Sequence, residues 1–180
     1  MADVAGHEPS GFTPLVQHYM KDLVYGANDG IITTFAIVAG VSGASLGTQV
    51  AIILGVANLL ADGVSMAASN FLSIRSDEAV RRHKGLAALE LHPGRHAMAT
   101  FGAFVVLGSV PLVTYLLPGP MQTFAVASVM TFTALFLVGA TRALFSDMSW
   151  IKAGIEMTVV GASAAAIAYG VGAWIHSMMT

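Results

Sequence analysis

The chain has 180 residues, of which 56% are hydrophobic by type and only 10% are charged, with a mean hydropathy of +0.74. Soluble globular domains carry about 25% charged residues, so this composition argues against one and indicates an integral membrane protein. The net charge of −2 gives no basic excess that would suggest a nucleic-acid partner. Because cysteine is absent, a disulfide framework, a thiolate metal site and a cysteine nucleophile are excluded.

The first 22 residues are mixed and polar, which predicts a cytoplasmic N-terminal segment. They lack a basic start, a sustained apolar run and a small-residue cleavage site, so we do not expect a signal peptide. Five apolar stretches follow, each long enough for the roughly 20 residues that cross a hydrocarbon core. They cover approximately residues 23–41, 49–74, 97–117, 123–144 and 154–175. The pattern predicts an all-α integral membrane protein with a five-helix transmembrane domain over residues 23–175.

The segments between the spans differ in character. A Gly/Ser turn joins the first two spans, and a Pro-Gly-Pro turn over residues 118–120 joins the third and fourth. The charged connector over residues 75–96 has acids four residues ahead of bases, which predicts a short surface helix. We interpret it as a solvated linker. A metal-collecting role is the alternative, although the spacings match no defined coordination motif. Its candidate residues are Glu78, His83, Glu90, His92 and His96.

Small residues recur within the spans at helix-packing distances, and they predict close contacts between helices. They are Gly26, Gly30, Gly154, Gly161, Ala165 and Gly172. Pro111 is expected to bend the third span, because it lacks a backbone donor and clashes with the preceding turn.

All the lysines and arginines fall on one side of the five-span arrangement. They are Lys21, Arg75, Arg81, Arg82, Lys84, Arg95, Arg142 and Lys152. Cytoplasmic loops collect Lys and Arg, so the N-terminus is expected in the cytoplasm and the C-terminus on the opposite side. A count of four or six spans would spoil this segregation.

Three acidic residues lie within the apolar spans, namely Asp29, Asp62 and Glu156. A charge at the bilayer centre costs from ~3 to more than ~10 kcal/mol, so each carboxylate needs a partner, a cavity or a proton. The sequence places no lysine or arginine deep in any span to pair with them. This favours a cation ligand or a proton carrier.

The first two spans bring candidate ligands to similar depths. At 1.5 Å per residue, Asp29 lies ~9 Å inside the first span and Met66 lies ~12 Å from the same face in the second. On the second helix Asn58, Asp62 and Met66 recur at four-residue spacing and share one stripe. Carboxylate and carbonyl oxygens suit hard or borderline divalent ions, and a thioether biases a site toward softer transition metals.

Each candidate also has a structural interpretation. The structural roles are core filling by Met66, a helix cap at Asp29, an interhelical hydrogen bond at Asp62, an ion pair of Glu156 with Lys152, and an interface aromatic at Tyr169. Taken together, the first two spans favour a metal path of Asp29, Met66, Asp62 and Asn58. Glu156 and Tyr169 are secondary candidates.

Two long blocks of the sequence, YGANDGIITTFAIVAGVSGA and ILGVANLLADGVSMAASNFLS, resemble the first two helices of the vacuolar iron transporter family. The segments HAMATFGAFVVLGSVPLV and GIEMTVVGASAAAIAYGVG extend the likeness over nearly all the chain from about residue 23. The resemblance implies five helices per subunit, a homodimer with the ion path at its interface, and export of Fe²⁺, often Mn²⁺ too, in exchange for protons. It places Asp29 of NDG and Met66 of DGVSM among the ion-path residues, and Asp62 belongs to the same DG motif.

The chain departs from the longer members of that family in one respect. They carry an acidic, helical cytoplasmic domain that collects metal between the second and third spans, and here only the connector over residues 75–96 occupies that place. We therefore expect a short form whose metal comes from a separate donor, or one that transports a different divalent ion.

These observations lead to the hypothesis of a divalent transition-metal exporter that moves Fe²⁺, and Mn²⁺ as a second ion, out of the cytoplasm in exchange for protons. The expected partners are the metal ion as substrate, protons, the lipid bilayer and a second copy of the chain, with no resident cofactor. The alternative is a non-transporting scaffold or metal-binding partner. An enzyme is not expected, because the sequence lacks a nucleophile–base pair and an HExxH motif. The lack of a targeting segment favours a bacterial inner membrane, with an organellar membrane as the alternative.

Overall fold

A computed structural model describes residues 12–117, 123–145 and 147–180 of the chain. Within these ranges the chain is helical, with no strand. The α-helices are α1 (Phe12–Gly43), α2 (Thr48–His83), α3 (Pro93–Gly108), α4 (Val110–Leu116), α5 (Phe124–Thr141) and α6 (Trp150–Met179), and a 3₁₀ turn covers Arg142–Phe145. The predicted Pro-Gly-Pro turn lies outside the described residues.

Five spans can be recognised among the described helices. Helices α1, α2, α5 and α6 are each long and apolar enough to cross a membrane, α5 together with the 3₁₀ turn that follows it. Helices α3 and α4 form a pair bent by 41°, which is the fifth span when the two are taken as one. The prediction of an all-α protein with five membrane-spanning helices is therefore confirmed.

The bend in the third span begins before the proline to which the sequence assigned it. The break falls at Ser109, and Pro111 lies in the first turn of α4. Backbone N–H groups in the first turn of a helix have no hydrogen-bond acceptor within the helix, so a proline there costs no helical hydrogen bond. The Ser109 hydroxyl donates to the Val106 carbonyl oxygen at 2.7 Å, which gives the hydroxyl a partner at the break.

The prediction of a separate surface helix in the connector is wrong. Helix α2 continues without interruption to His83, and the chain then folds back along its end. The Arg81 guanidinium donates to the Ala87 carbonyl oxygen at 3.0 and 2.8 Å, and Glu78 Oε1 accepts the backbone N–H groups of Leu89 and Glu90 at 2.9 Å each. Beyond the apolar part of α2, these bonds from Glu90 and Leu89 hold the pKa of the Glu78 carboxyl below its ordinary value.

Helix α1 is the centre of the bundle and packs against α2, α3, α5 and α6. Its buried side chains include Ile31, Phe35 and Val38, all at most 1% exposed. Phe35 and Val38 form a core cluster with Leu112 of α4 and Ala127 of α5. Because other helices pack around α1, the polar side chains in its middle are partly covered, and Asn28 and Asp29 are both half-buried.

Glycines allow the helix backbones to approach α1 closely, as the sequence predicted. A Cβ at Gly30 would overlap the carbonyl oxygen of Phe104 in α3, and a Cβ at Gly26 would overlap that of Thr100. On α6, a Cβ at Gly172 would meet the carbonyl oxygen of Gly40. Backbone atoms cannot rotate away as a side chain does, so these positions require glycine.

Replacing Gly30 by Ala should destabilise the bundle by about 1–3 kcal/mol, because the added methyl group forces α1 and α3 apart. Thermal unfolding of the detergent-solubilised protein measures the effect. The matched control is Gly102→Ala on α3, where a Cβ meets nothing within 4 Å and stability should hold or rise. Equal melting temperatures for the two variants would contradict the close contact.

Candidate functional site

Two rows of polar side chains face each other across α1 and α2. On α1, His18, Asp22, Tyr25 and Asp29 follow spacings that place them on one helix face, and on α2 the row is Asn70, Met66, Asp62 and Asn58. Because the two helices are antiparallel, the N-terminal end of the α1 row lies beside the C-terminal end of the α2 row. The cross-helix contacts at both ends of this pairing are described next.

The inner end of the pairing brings two carboxylates together. Asp29 of α1 and Asp62 of α2 are both half-buried and close enough to interact electrostatically. Within the described part of the chain, neither forms an ion pair with a basic group. Two like charges in a membrane-spanning bundle repel each other and are poorly solvated, so a cation or a proton between them would lower the free energy of both.

Amide groups without partners lie on the same two helices. Asn58 Nδ2 on α2 and Asn28 Oδ1 on α1 are buried and have no hydrogen-bond partner among the described residues. An unpaired buried amide costs about 1–3 kcal/mol, and its carbonyl oxygen is a good ligand for a divalent ion. Asn58 was a sequence candidate, whereas sequence reasoning missed Asn28, which directly precedes Asp29 in the NDG motif.

Met66 lines a cavity with residues that precede Asp29 on α1, and Asp29 does not line that cavity. It is 9% exposed and packs against Leu59 of α2 and Phe104 of α3, as a core residue does. The cavity has a volume of about 310 Å³ and is also lined by Asp22 and Tyr25, one or two helical turns before Asp29. The thioether therefore lines a cavity nearer the N-terminal end of α1.

Both secondary candidates lie on α6, where Glu156 lines a cavity of about 550 Å³ together with Asn28 of α1. Glu156 is 44% exposed at its side chain and its carboxylate lies 4.0 Å from the Arg142 guanidinium. The structure therefore pairs Glu156 with Arg142 and not with Lys152, the ion-pair partner that the sequence suggested. Tyr169 stacks on Phe124 with ring centroids 5.8 Å apart, which is an aromatic contact between α6 and α5.

The outer end of the pairing is a buried network centred on Asp22, which is 7% exposed. Asn70 Nδ2 donates to Asp22 Oδ1 at 2.7 Å and to Thr100 Oγ1 at 2.8 Å, while Asp22 Oδ2 lies 2.6 Å from Nδ1 of His96. The network joins α1, α2 and α3. Sequence reasoning missed Asp22 because it assigned this residue to the polar segment before the first span, although α1 already begins at Phe12.

Apolar spanning helices packed around a central helix, with half-buried carboxylates on two of them, define a multi-pass membrane protein. The sequence model of the VIT family matches residues 20–86 and 77–173, which together are most of the chain. The chain belongs to the VIT family. The two matched segments overlap within the connector, where the chain was expected to depart from the longer family members.

Relatives of known name align over most of the chain. It is 24% identical over 229 aligned residues to vacuolar iron transporter 1 of Eucalyptus grandis, covering 95% of this chain and 91% of that protein. It is 24% identical over 180 residues to vacuolar iron transporter homolog 2.1 of Arabidopsis thaliana, covering 88% of this chain and 82% of that protein. The vacuolar iron transporter of Toxoplasma gondii is 37% identical over 76 residues, which are 42% of this chain and 25% of that protein. The alignment to the Eucalyptus protein is longer than this chain, so that relative carries residues that the short form lacks.

Replacing Asn70 by Ala should lower the free energy of unfolding by about 1–3 kcal/mol, because Asp22 and Thr100 both lose a buried hydrogen bond. Thermal unfolding in detergent measures the change. Ser73→Ala, three residues along the same helix at an exposed position, is the control and should melt like the wild type. A melting temperature of Asn70→Ala equal to that of the control would show that the network adds no stability.

Proposed function

We propose that this protein transports a divalent transition-metal ion through a path lined by α1 and α2, with Asp29, Asp62 and Asn58 as ion-binding groups and Met66 nearer one end. The observation that carries the proposal is the Asp29–Asp62 pair without a basic partner in the described part of the chain. The named relatives are vacuolar iron transporters, which supports Fe²⁺ as the ion.

Exchange for protons follows from the same pair of carboxylates. When the ion leaves, the two repelling carboxylates are stabilised by taking up a proton, and when an ion arrives the proton is released. Metal and proton therefore compete for one site, which is the requirement for an antiporter. Mn²⁺ takes the same oxygen ligands and is the second ion we propose.

The proposed direction is out of the cytoplasm. It is supported by the one-sided basic residues, which set the orientation of the helices. The named relatives are vacuolar, and export into an organelle or across a bacterial inner membrane involves the same movement away from the cytosol.

The path is proposed to lie at the interface of a homodimer. Five spans leave a single chain without the internal two-fold repeat that frames many transporter sites, and a second copy would supply that symmetry. Helix α2 supports this, because one of its outward faces carries small residues that let two helices approach closely. The exposed small residues are Ala57, Ala61, Ser65 and Ala68.

A non-transporting metal-binding scaffold is the second candidate. The unpartnered amides of Asn28 and Asn58 would suit a static site as well as a path. Flux separates the two functions, since a scaffold binds metal without moving it across the membrane.

Proteoliposomes that contain the wild-type protein should take up Fe²⁺, held reduced, when a proton gradient opposes the metal gradient. Asp29→Asn should lower the initial rate at least about tenfold, because losing a hydrogen bond or ligand bond to a charged group costs about 1.5–3 kcal/mol. A metal-sensitive dye and a pH dye inside the vesicles record both movements.

Asp77→Asn is the matched control, since Asp77 is an exposed carboxylate near the end of α2 and should leave the rate unchanged. Wild-type vesicles that bind Fe²⁺ and Mn²⁺ but pass neither would favour the scaffold. A normal rate for Asp29→Asn would remove the aspartate pair from the path.

Because the chain has no cysteine, one introduced thiol can report on the dimer interface. Ala61→Cys should form a disulfide-linked dimer in membranes on mild oxidation, since the proposed interface brings the two copies of α2 into contact. Ile167→Cys on α6, which is 68% exposed, is the control and should stay monomeric on a denaturing gel. Equal cross-linking at the two positions would count against α2 as the interface.

A further inference from the structure

Three potential metal ligands from separate parts of the chain meet at the end of the bundle where α1 and α3 begin. They are His18 of α1, Glu90 of the connector and His96 of α3. Glu90 Oε2 lies 2.9 Å from His96 Nε2 and 3.4 Å from His18 Nε2, and the three ligand atoms all lie within 4.8 Å of one another. In the described ranges, this is the one group of three or more such side chains with that proximity.

The buried Asp22 orients His96 within this group. Its carboxylate accepts from His96 Nδ1 at 2.6 Å, and both side chains are less than 10% exposed. With the hydrogen on Nδ1, the lone pair of the neutral imidazole lies on Nε2 and points toward Glu90 and His18. Carboxylates hold metal-ligating histidines in this way in many proteins, by setting the tautomer and the ring orientation.

When Nδ1 carries the hydrogen that bonds to Asp22, the short contact between His96 Nε2 and Glu90 Oε2 needs a proton or a metal ion between the two atoms. A neutral imidazole nitrogen and a carboxylate oxygen both present lone pairs, which repel each other at 2.9 Å. Either a proton on Nε2 or a metal ion removes that repulsion. His18 supplies a second imidazole beside the same oxygen, which a proton shared by His96 and Glu90 does not need.

We propose that His18, Glu90 and His96 form a binding site for a divalent transition-metal ion. Two imidazole nitrogens and one carboxylate oxygen suit Fe²⁺, Co²⁺ or Zn²⁺ and disfavour Mg²⁺ and Ca²⁺, which prefer oxygen ligands alone. His18 and Glu90 are 25% and 28% exposed at their side chains, so water reaches the open coordination positions. This is the geometry of a site that exchanges its ion with the solution.

The site lies at the start of the polar row that leads to the aspartate pair. His18 is eleven residues before Asp29 on the same face of α1, roughly 16 Å along the helix. Between them lies the cavity lined by Asp22, Tyr25 and Met66. Metal binding at the cluster stands on its own geometry, whereas its role in loading the path rests on the proposed function.

Only two of the five connector residues predicted as possible metal ligands belong to the cluster. Glu90 and His96 contribute to it, together with His18, which the sequence analysis did not consider. Glu78 is instead engaged by backbone N–H groups. His83 and His92 are exposed and do not belong to the group.

Titration of the untagged protein in detergent with Co²⁺ tests the site, since bound Co²⁺ has a visible absorption spectrum that reports nitrogen and oxygen ligands. His18→Gln and Glu90→Gln should each weaken one binding step at least about tenfold, the scale expected for loss of a metal-site group, and should change the absorption band. His83→Gln is the matched control, because His83 is an exposed histidine on the nearby end of α2 and should leave the titration unchanged.

A wild-type titration curve and spectrum for both His18→Gln and Glu90→Gln would overturn the site. The centroid of the His18 ring lies 5.0 Å from that of the His96 ring, but His18 forms no hydrogen bond with Asp22 or Asn70 in the described structure. His18→Gln should therefore fold normally, and its melting temperature verifies this. Should Glu90→Gln unfold, the His18 variant alone decides the result.

The two proposals fail in different measurements. Asp29→Asn should keep the high-affinity Co²⁺ band while losing Fe²⁺ flux, whereas His18→Gln should lose the band. If the cluster loads the path, His18→Gln should raise the Fe²⁺ concentration for half-maximal flux about tenfold with the maximal rate retained. Loss of the band without any change in flux would leave a metal site that does not serve transport, and normal flux in Asp29→Asn would overturn the path alone.

Discussion

The close approach of α1 and α3 is the contact on which the polar features depend. Gly26 and Gly30 bring the two backbones together without side chains between them. At this separation Asp22 of α1 reaches His96 of α3, and Asn70 of α2 bonds to both helices. A methyl group at either glycine would move α3 outward and with it both His96 and the end of the connector.

The polar residues of α1 recur at a spacing that places them on one face of the helix. His18, Asp22, Tyr25 and Asp29 lie along one face, so the polar row runs from near the start of α1 to its middle, where Asp29 is half-buried. The other faces of α1 are apolar and buried, as Phe35 and Val38 show. A single helix therefore supplies both the core and one wall of the proposed path.

Helix α2 combines exposed apolar residues with polar groups that lack partners among the described residues. Ile53, Val64 and Leu72 point outward as lipid-facing or partner-facing residues do, and each is more than half exposed. Asn58 and Asp62 lie on the same helix with no ion pair and, for Asn58 Nδ2, no hydrogen bond in the described chain. Keeping such groups in an apolar helix costs free energy, which ion binding at the proposed path would offset.

The sequence by itself determined the number of spans, the segregation of basic residues and the acidic positions Asp29 and Asp62, because hydropathy and the cost of a charge in lipid depend on each residue and its near neighbours along the chain. It also identified the packing glycines. Only the tertiary structure decided that α2 continues to His83, that the third span breaks at Ser109, and that Met66 shares a cavity with Asp22. The pairing of Asp22 with His96, which are 74 positions apart, and the meeting of His18 with Glu90 could not be predicted, because they arise from how closely α1 and α3 pack and from where the connector returns.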